Sequence, residues 1–142
     1  MSYESLAHEF FQVMQQVHGR NTQKRVSDSM NGENFVLSYI SQHEGDVIPS
    51  DIANAMGTTS ARIAAVLNSL EKKGMVTRRI DEIDRRRILV NLTDLGTEEV
   101  RIQDELRLSY VINMFKVLGE DDAKEYVRLT KKLADNSLED FM

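Results

Sequence analysis

The hydrophobic period of this chain changes from three or four residues to two just after Gly74 and changes back after Leu92, and that single excursion limits the fold more than any other feature. Val76, Arg78 and Ile80 alternate with Met75, Thr77 and Arg79; the polar stretch DEIDRRR follows; then Ile88-Leu89-Val90-Asn91-Leu92 alternates again. That pattern predicts one β-hairpin with a long charged tip. The apolar runs on either side of it carry a helical period, so the predicted fold class is mainly α with a small β-hairpin wing.

Before the hairpin, Tyr3, Leu6, Ala7, Phe10, Met14 and Val17 predict a helix over about 3–18 that stops at Gly19. The stretch from Arg20 to Gly32 has no apolar period and reads as a loop or as a poorly formed helical turn. Phe35, Val36, Leu37, Tyr39 and Ile40 predict a helix over 33–43. Pro49 suits the first turn of a short helix over 49–56, with Asp51 adding favourable negative charge there. Gly57 breaks that helix, Thr58 or Thr59 caps the next, and Ile63, Val66, Leu67 and Leu70 carry it to Gly74. After the hairpin, Thr93 caps a helix of about 25 residues that ends at Gly119, and a last helix runs over 121–138.

With 142 residues, 41% hydrophobic and 29% charged, the chain is sized for one globular domain over 1–142. It has no cysteine, which excludes disulfides, thiolate zinc sites and cysteine nucleophiles. No stretch reaches the ~18 apolar residues of a membrane span. The start MSYESLAHEFFQ lacks the marks of a signal peptide, so a cytoplasmic protein without membrane attachment is expected. The net charge of −5 conceals an asymmetry: residues 62–87 hold eight basic and four acidic residues, a balance of +4. The remainder holds ten basic and nineteen acidic residues, a balance of −9. Phosphate responds to a local basic patch more than to total charge.

Two short helices joined by a glycine turn and followed by a hairpin form a winged helix-turn-helix pattern. Such a motif needs a small residue where its helices cross, a residue tolerant of positive φ in the turn, and a branched apolar residue facing back. Ala53, Gly57 and Ile63 stand at those places. Ile52 and Met56 before the turn, with Val66 and Leu70 after it, complete a small core. The run from Ile52 to Gly96 resembles the DNA-binding lobe of the MarR (multiple antibiotic resistance regulator) family. The resemblance is carried by Asp84-Arg85-Arg86, then Leu92-Thr93 and Gly96, and by Leu70-Glu71-Lys72-Lys73-Gly74. It implies a lobe over 33–93, dimerisation helices over 1–20 and 94–142, and a homodimeric transcription regulator, with repression the expected sign.

The expected DNA contacts lie on two elements. Thr58, Thr59, Ser60, Ala61, Arg62 and Ala65 line the recognition helix, where small side chains allow close approach to the major groove and Arg62 can pair with guanine O6 and N7. Arg78, Asp84, Arg85, Arg86 and Arg87 belong to the wing, whose tip can reach a minor groove. The resemblance assigns the minor-groove role chiefly to Arg86, with Asp84 bracing it. It also implies a small aromatic or lipophilic effector, for which Phe10, Phe11, Met14, Phe35 and Tyr39 are the candidate pocket. Those five read equally as core. His8, His18 and His43 lack the His-x3-His spacing of a zinc pair, so no metal and no cofactor are expected. No phosphate loop or activated nucleophile marks an enzyme. The competing reading is a winged helix used only for protein interaction, which has no need of three arginines on its wing.

Overall fold

A computed structural model describes residues 2–17 and 32–136. Its elements are α1 (Tyr3–Val17), α2 (Gly32–Gln42), α3 (Pro49–Met56), α4 (Ser60–Lys72), β1 (Val76–Ile80), β2 (Ile88–Leu92), α5 (Asp94–Leu118) and α6 (Glu120–Ala134). The winged helix-turn-helix order expected from the period change is present, with helices before and after it. The predicted stop at Gly19 and most of the predicted loop up to Gly32 lie outside the described residues.

The chain divides into two compact units, one of residues 1–22 with 104–142 and one of residues 23–103. In the second unit α2, α3 and α4 enclose Val36, Leu37, Ile52, Met56, Ile63, Leu67 and Leu70, all buried, with Val76, Val90 and Val100 closing the core from the hairpin and the start of α5. In the first unit Leu6, Ala7, Val111, Phe115, Ala123 and Val127 are packed together. Phe10 meets Phe115 edge-on at 5.8 Å, a preferred aromatic arrangement.

The hairpin is antiparallel, in the register Val76↔Leu92, Arg78↔Val90 and Ile80↔Ile88. Val47, in the segment before α3, adds an isolated bridge to Val90, where the Val90 N–H donates to the Val47 carbonyl at 2.7 Å. Burial reaches Leu89 and stops short of the hairpin's last pair. Val76, Leu89 and Val90 are covered, whereas Ile80 and Ile88 are exposed, so the apolar alternation continues beyond the core it serves.

The last helix ends sooner than its apolar period suggests, at Ala134 with Asp135 as C-cap. The Asn136 side chain donates to the Lys132 carbonyl at 2.8 Å, and the Asn136 backbone N–H turns to the Leu133 carbonyl. Asp and Asn compete with the helix for its own backbone groups, which explains a stop before Leu138.

Candidate nucleic-acid interface

The turn between α3 and α4 follows from its residues. Gly57 sits in the left-handed region at φ 68°, which a side chain would disfavour, and the Thr58 N–H donates to the Ala53 carbonyl at 3.0 Å. Thr59 is the N-cap of α4: its hydroxyl oxygen accepts the Arg62 N–H at 3.2 Å. Beyond the cap, Ile63, Leu67 and Leu70 turn inward. The opposite face carries Ser60, Ala61, Arg62 and Ala65 in solvent, with Thr59 exposed and Thr58 half-buried at its start. Ala64 is exposed there too, an addition to the positions the sequence marks. Arg62 makes no ion pair among the described residues, and its guanidinium passes beside Gly32 at the start of α2.

Contacts distant in sequence hold α4 in place. The Glu33 carboxylate on α2 accepts from the Ser69 hydroxyl and from the Lys73 ammonium, each at 2.6 Å. The Lys73 and Ser69 hydrogen bonds hold the Glu33 carboxyl below its ordinary range.

Arg78, expected to face DNA, turns from β1 onto α4. Its Nε and one terminal nitrogen donate to Glu71 at 3.2 and 3.1 Å, and that nitrogen also donates to the Asn68 side-chain oxygen at 2.6 Å. The Arg78 side chain is 25% exposed, and the pairing lowers the Glu71 pKa. This geometry makes Arg78 a strut between β1 and α4. Its neighbour Arg79, on the other face of β1, donates to Asp46 at 3.0 Å. Neither Glu71 nor Asp46 carries a signal in the sequence that would name its partner.

At the wing tip the Asp81 N–H donates to the Arg87 carbonyl at 3.0 Å, and the Arg87 N–H to the Asp84 carbonyl at 2.9 Å. One Asp84 carboxylate oxygen accepts both the backbone N–H of Arg86, at 3.1 Å, and its Nε, at 3.2 Å. The Arg86 side chain nevertheless stands 92% exposed. Arg87 lies 4.0 Å from Asp81, and Arg85 is exposed with no ion pair among the described residues. A cleft of about 280 Å³ separates the tip end of this wing from the start of α3, lined by Ile48, Pro49, Ser50, Arg86, Arg87 and Ile88.

The five candidate pocket residues divide between the units. Phe10 and Phe11 pack on the Phe115 core, and Met14 is half-buried on the same helix. Phe35 and Tyr39 pack on the helix-turn-helix core, where Tyr39 stacks on His43 at 4.7 Å.

A model described as the MarR family matches residues 35–87. The chain is 27% identical over 94 residues to YdgJ of Bacillus subtilis, an uncharacterized HTH-type transcriptional regulator, covering 66% of this chain and 57% of YdgJ. It is 26% identical over 98 residues to the transcriptional repressor MprA of Escherichia coli K12, covering 69% of this chain and 56% of MprA. The chain therefore spans little more than half the length of these relatives. Its fold is that of Staphylococcus aureus MepR in a DNA complex, with a TM-score of 0.63 and 24% identity over 94% of this chain and 96% of MepR. None of the described helices is long and apolar enough to cross a membrane.

Proposed function

The chain carries the MarR-family winged helix, and from that premise we propose that it is a sequence-specific double-stranded-DNA-binding transcription regulator, working in the cytoplasm as a homodimer on a palindromic operator. One observation carries the reading: a helix faced with short side chains and a hairpin tipped with exposed arginines belong to the same compact unit. The α4 face enters the major groove, where Thr59, Ser60, Ala61 and Ala65 permit close approach and Arg62 selects a base. The wing delivers Arg85, Arg86 and Arg87 to the adjacent minor groove and its phosphates. Asp84 holds Arg86, and Arg78 and Glu71 keep the two DNA-facing elements in register.

The homodimer is supported by apolar side chains left in solvent. Leu106, Tyr110 and Val117 on α5 and Leu129 and Leu133 on α6 are exposed, and a groove of about 490 Å³ runs past Tyr110, Met114, Val117 and Tyr126. A second copy covers such a surface under two-fold symmetry, which places half-sites about 10 bp apart. Repression is the proposed sign, as in MprA, which is named a repressor. A small aromatic or lipophilic effector would release the operator. No enzymatic step is part of the proposal.

Selection of bound sequences from random duplex DNA tests the central claim. An enriched imperfect palindrome, bound in a salt-dependent manner, supports it. Failure to enrich any sequence, with no salt-dependent retention on DNA resin, overturns it. Sedimentation of a stable monomer at micromolar concentration would remove the dimer alone.

A further inference from the structure

We propose that Ile83, at the apex of the wing, is an apolar contact to the DNA minor groove, packing on its deoxyribose walls while the neighbouring arginines meet phosphate. The proposal rests on the DNA-binding reading above. The tip reads Asp81-Glu82-Ile83-Asp84-Arg85-Arg86-Arg87, and two of its three acids and its apolar residue are arranged against ordinary expectation. Ile83 is 96% exposed. The Asp81 and Asp84 side chains, by contrast, are only 16% and 38% exposed.

The two aspartates are used inside the turn. An Asp81 carboxylate oxygen accepts the Ile83 N–H at 3.0 Å, and Asp84 accepts from Arg86. Two of the tip's three carboxylates are thus turned inward and braced, while Ile83 and Arg86 stand almost wholly in solvent, with Glu82 and Arg85 exposed beside them. Ile83 belongs to neither core cluster, so its apolar side chain does nothing for this chain's own packing. The apolar strip also continues down the hairpin, because Ile80 and Ile88 face each other in its last register pair and are both exposed.

Minor-groove proteins use such side chains as apolar contacts or wedges beside cationic ones. A β-branched side chain is stiff, so it loses little freedom when it packs. Charge decides against a second copy of this chain as the occupant. A two-fold contact at the tip would bring two sets of Arg85, Arg86 and Arg87 together, whereas DNA complements them.

The test uses the full chain and a duplex recovered by the selection described above, titrated across a series of salt concentrations. Ile83→Ser is expected to bind about 10-fold more weakly, the scale set by partial burial of one side chain of this size. Its log–log salt slope should equal the parent's, since every cation that meets phosphate is kept. Ile83→Leu should restore affinity to within about 3-fold. The melting temperature should not move, because the residue is exposed. Parental affinity in Ile83→Ser overturns the proposal, as does a reduced salt slope, which would mean the substitution acts through the arginines. Unchanged DNA binding with altered sedimentation also overturns it and assigns the residue to a protein contact. If the parent itself binds no duplex, the DNA-binding reading fails first and takes this one with it.

Discussion

Gly96 offers the sharpest test of how the lobe is assembled, because its glycine is required by a distant backbone and not by its own φ. It lies in the first turn of α5, where alanine would ordinarily be the better helix former by about 1 kcal/mol. A Cβ there would overlap the Met75 carbonyl oxygen, and would stand 3.0 Å from the Met75 carbonyl carbon and 3.2 Å from a Leu92 methyl carbon. Met75 cannot withdraw freely. Its carbonyl accepts the Thr93 N–H at 3.0 Å, and the Thr93 hydroxyl donates to the Gly74 carbonyl at 2.6 Å. Overpacking costs about 1–3 kcal/mol and a strained hydrogen bond about 1 more, against the propensity gain of about 1, so Gly96→Ala should lose about 2 kcal/mol. In a unit of residues 23–103 that corresponds to a melting temperature lower by about 8–16 °C. Thermal unfolding followed by circular dichroism reads it directly. Thr97→Ala, at the exposed position one residue on, is the control and should not fall. A Gly96→Ala chain that melts at or above the parental temperature would refute the reasoning, since helix propensity would then outweigh the close approach.

Arg62→Ala should cost about 1–3 kcal/mol on the selected operator and less on random DNA; equal losses on both in a binding titration would place Arg62 on phosphate. Arg86→Ala should weaken binding to every duplex and lower the salt slope by about one for each phosphate that the guanidinium neutralises. Asp84→Ala should weaken binding as well, although it removes a negative charge; tighter binding at matched ionic strength would remove the bracing role. Glu71→Gln should lower the melting temperature at neutral pH, with a pH dependence whose sign follows from the hydrogen bond to Arg78. Because the folded-state pKa of Glu71 lies below the ordinary 4.5, its contribution is present above that value and is lost as pH falls through the depressed one. The gap between parent and variant melting temperatures should therefore close on acidification, and a gap that widens would contradict the strut.

Much of the fold was legible because its signals are local. The apolar period marks α1 through α6 within a residue or two at most ends, Gly57 announces the turn, and Thr58 or Thr59 the cap, of which the structure uses Thr59, through conformational preferences acting over about four residues. The hairpin needs only the alternation on each side of its long charged tip, while its register emerges with the structure. The end of α6 was not legible in this way, because periodicity continues through Asp135 and Asn136, whose side chains stop a helix without interrupting its apolar spacing.

Tertiary structure decided the rest, since it depends on which distant groups meet. The sequence offers Arg78 as a DNA contact, gives Arg79 no role, and pairs Arg86 with Asp84 only through the family resemblance. Packing gives the first to Glu71 and the second to Asp46, and leaves the third on a short tether to Asp84 in solvent. Glu33 and Lys73 are forty positions apart and become an ion pair only once α2 lies against α4. The Leu-Thr and Gly pattern that carries part of the family resemblance was readable in the sequence, but its cause, a backbone carbonyl pressed against a helix that can carry no side chain there, exists only when the hairpin and helix have docked. Local preferences are written residue by residue, whereas charge pairing and close approach are properties of surfaces that the chain must first build.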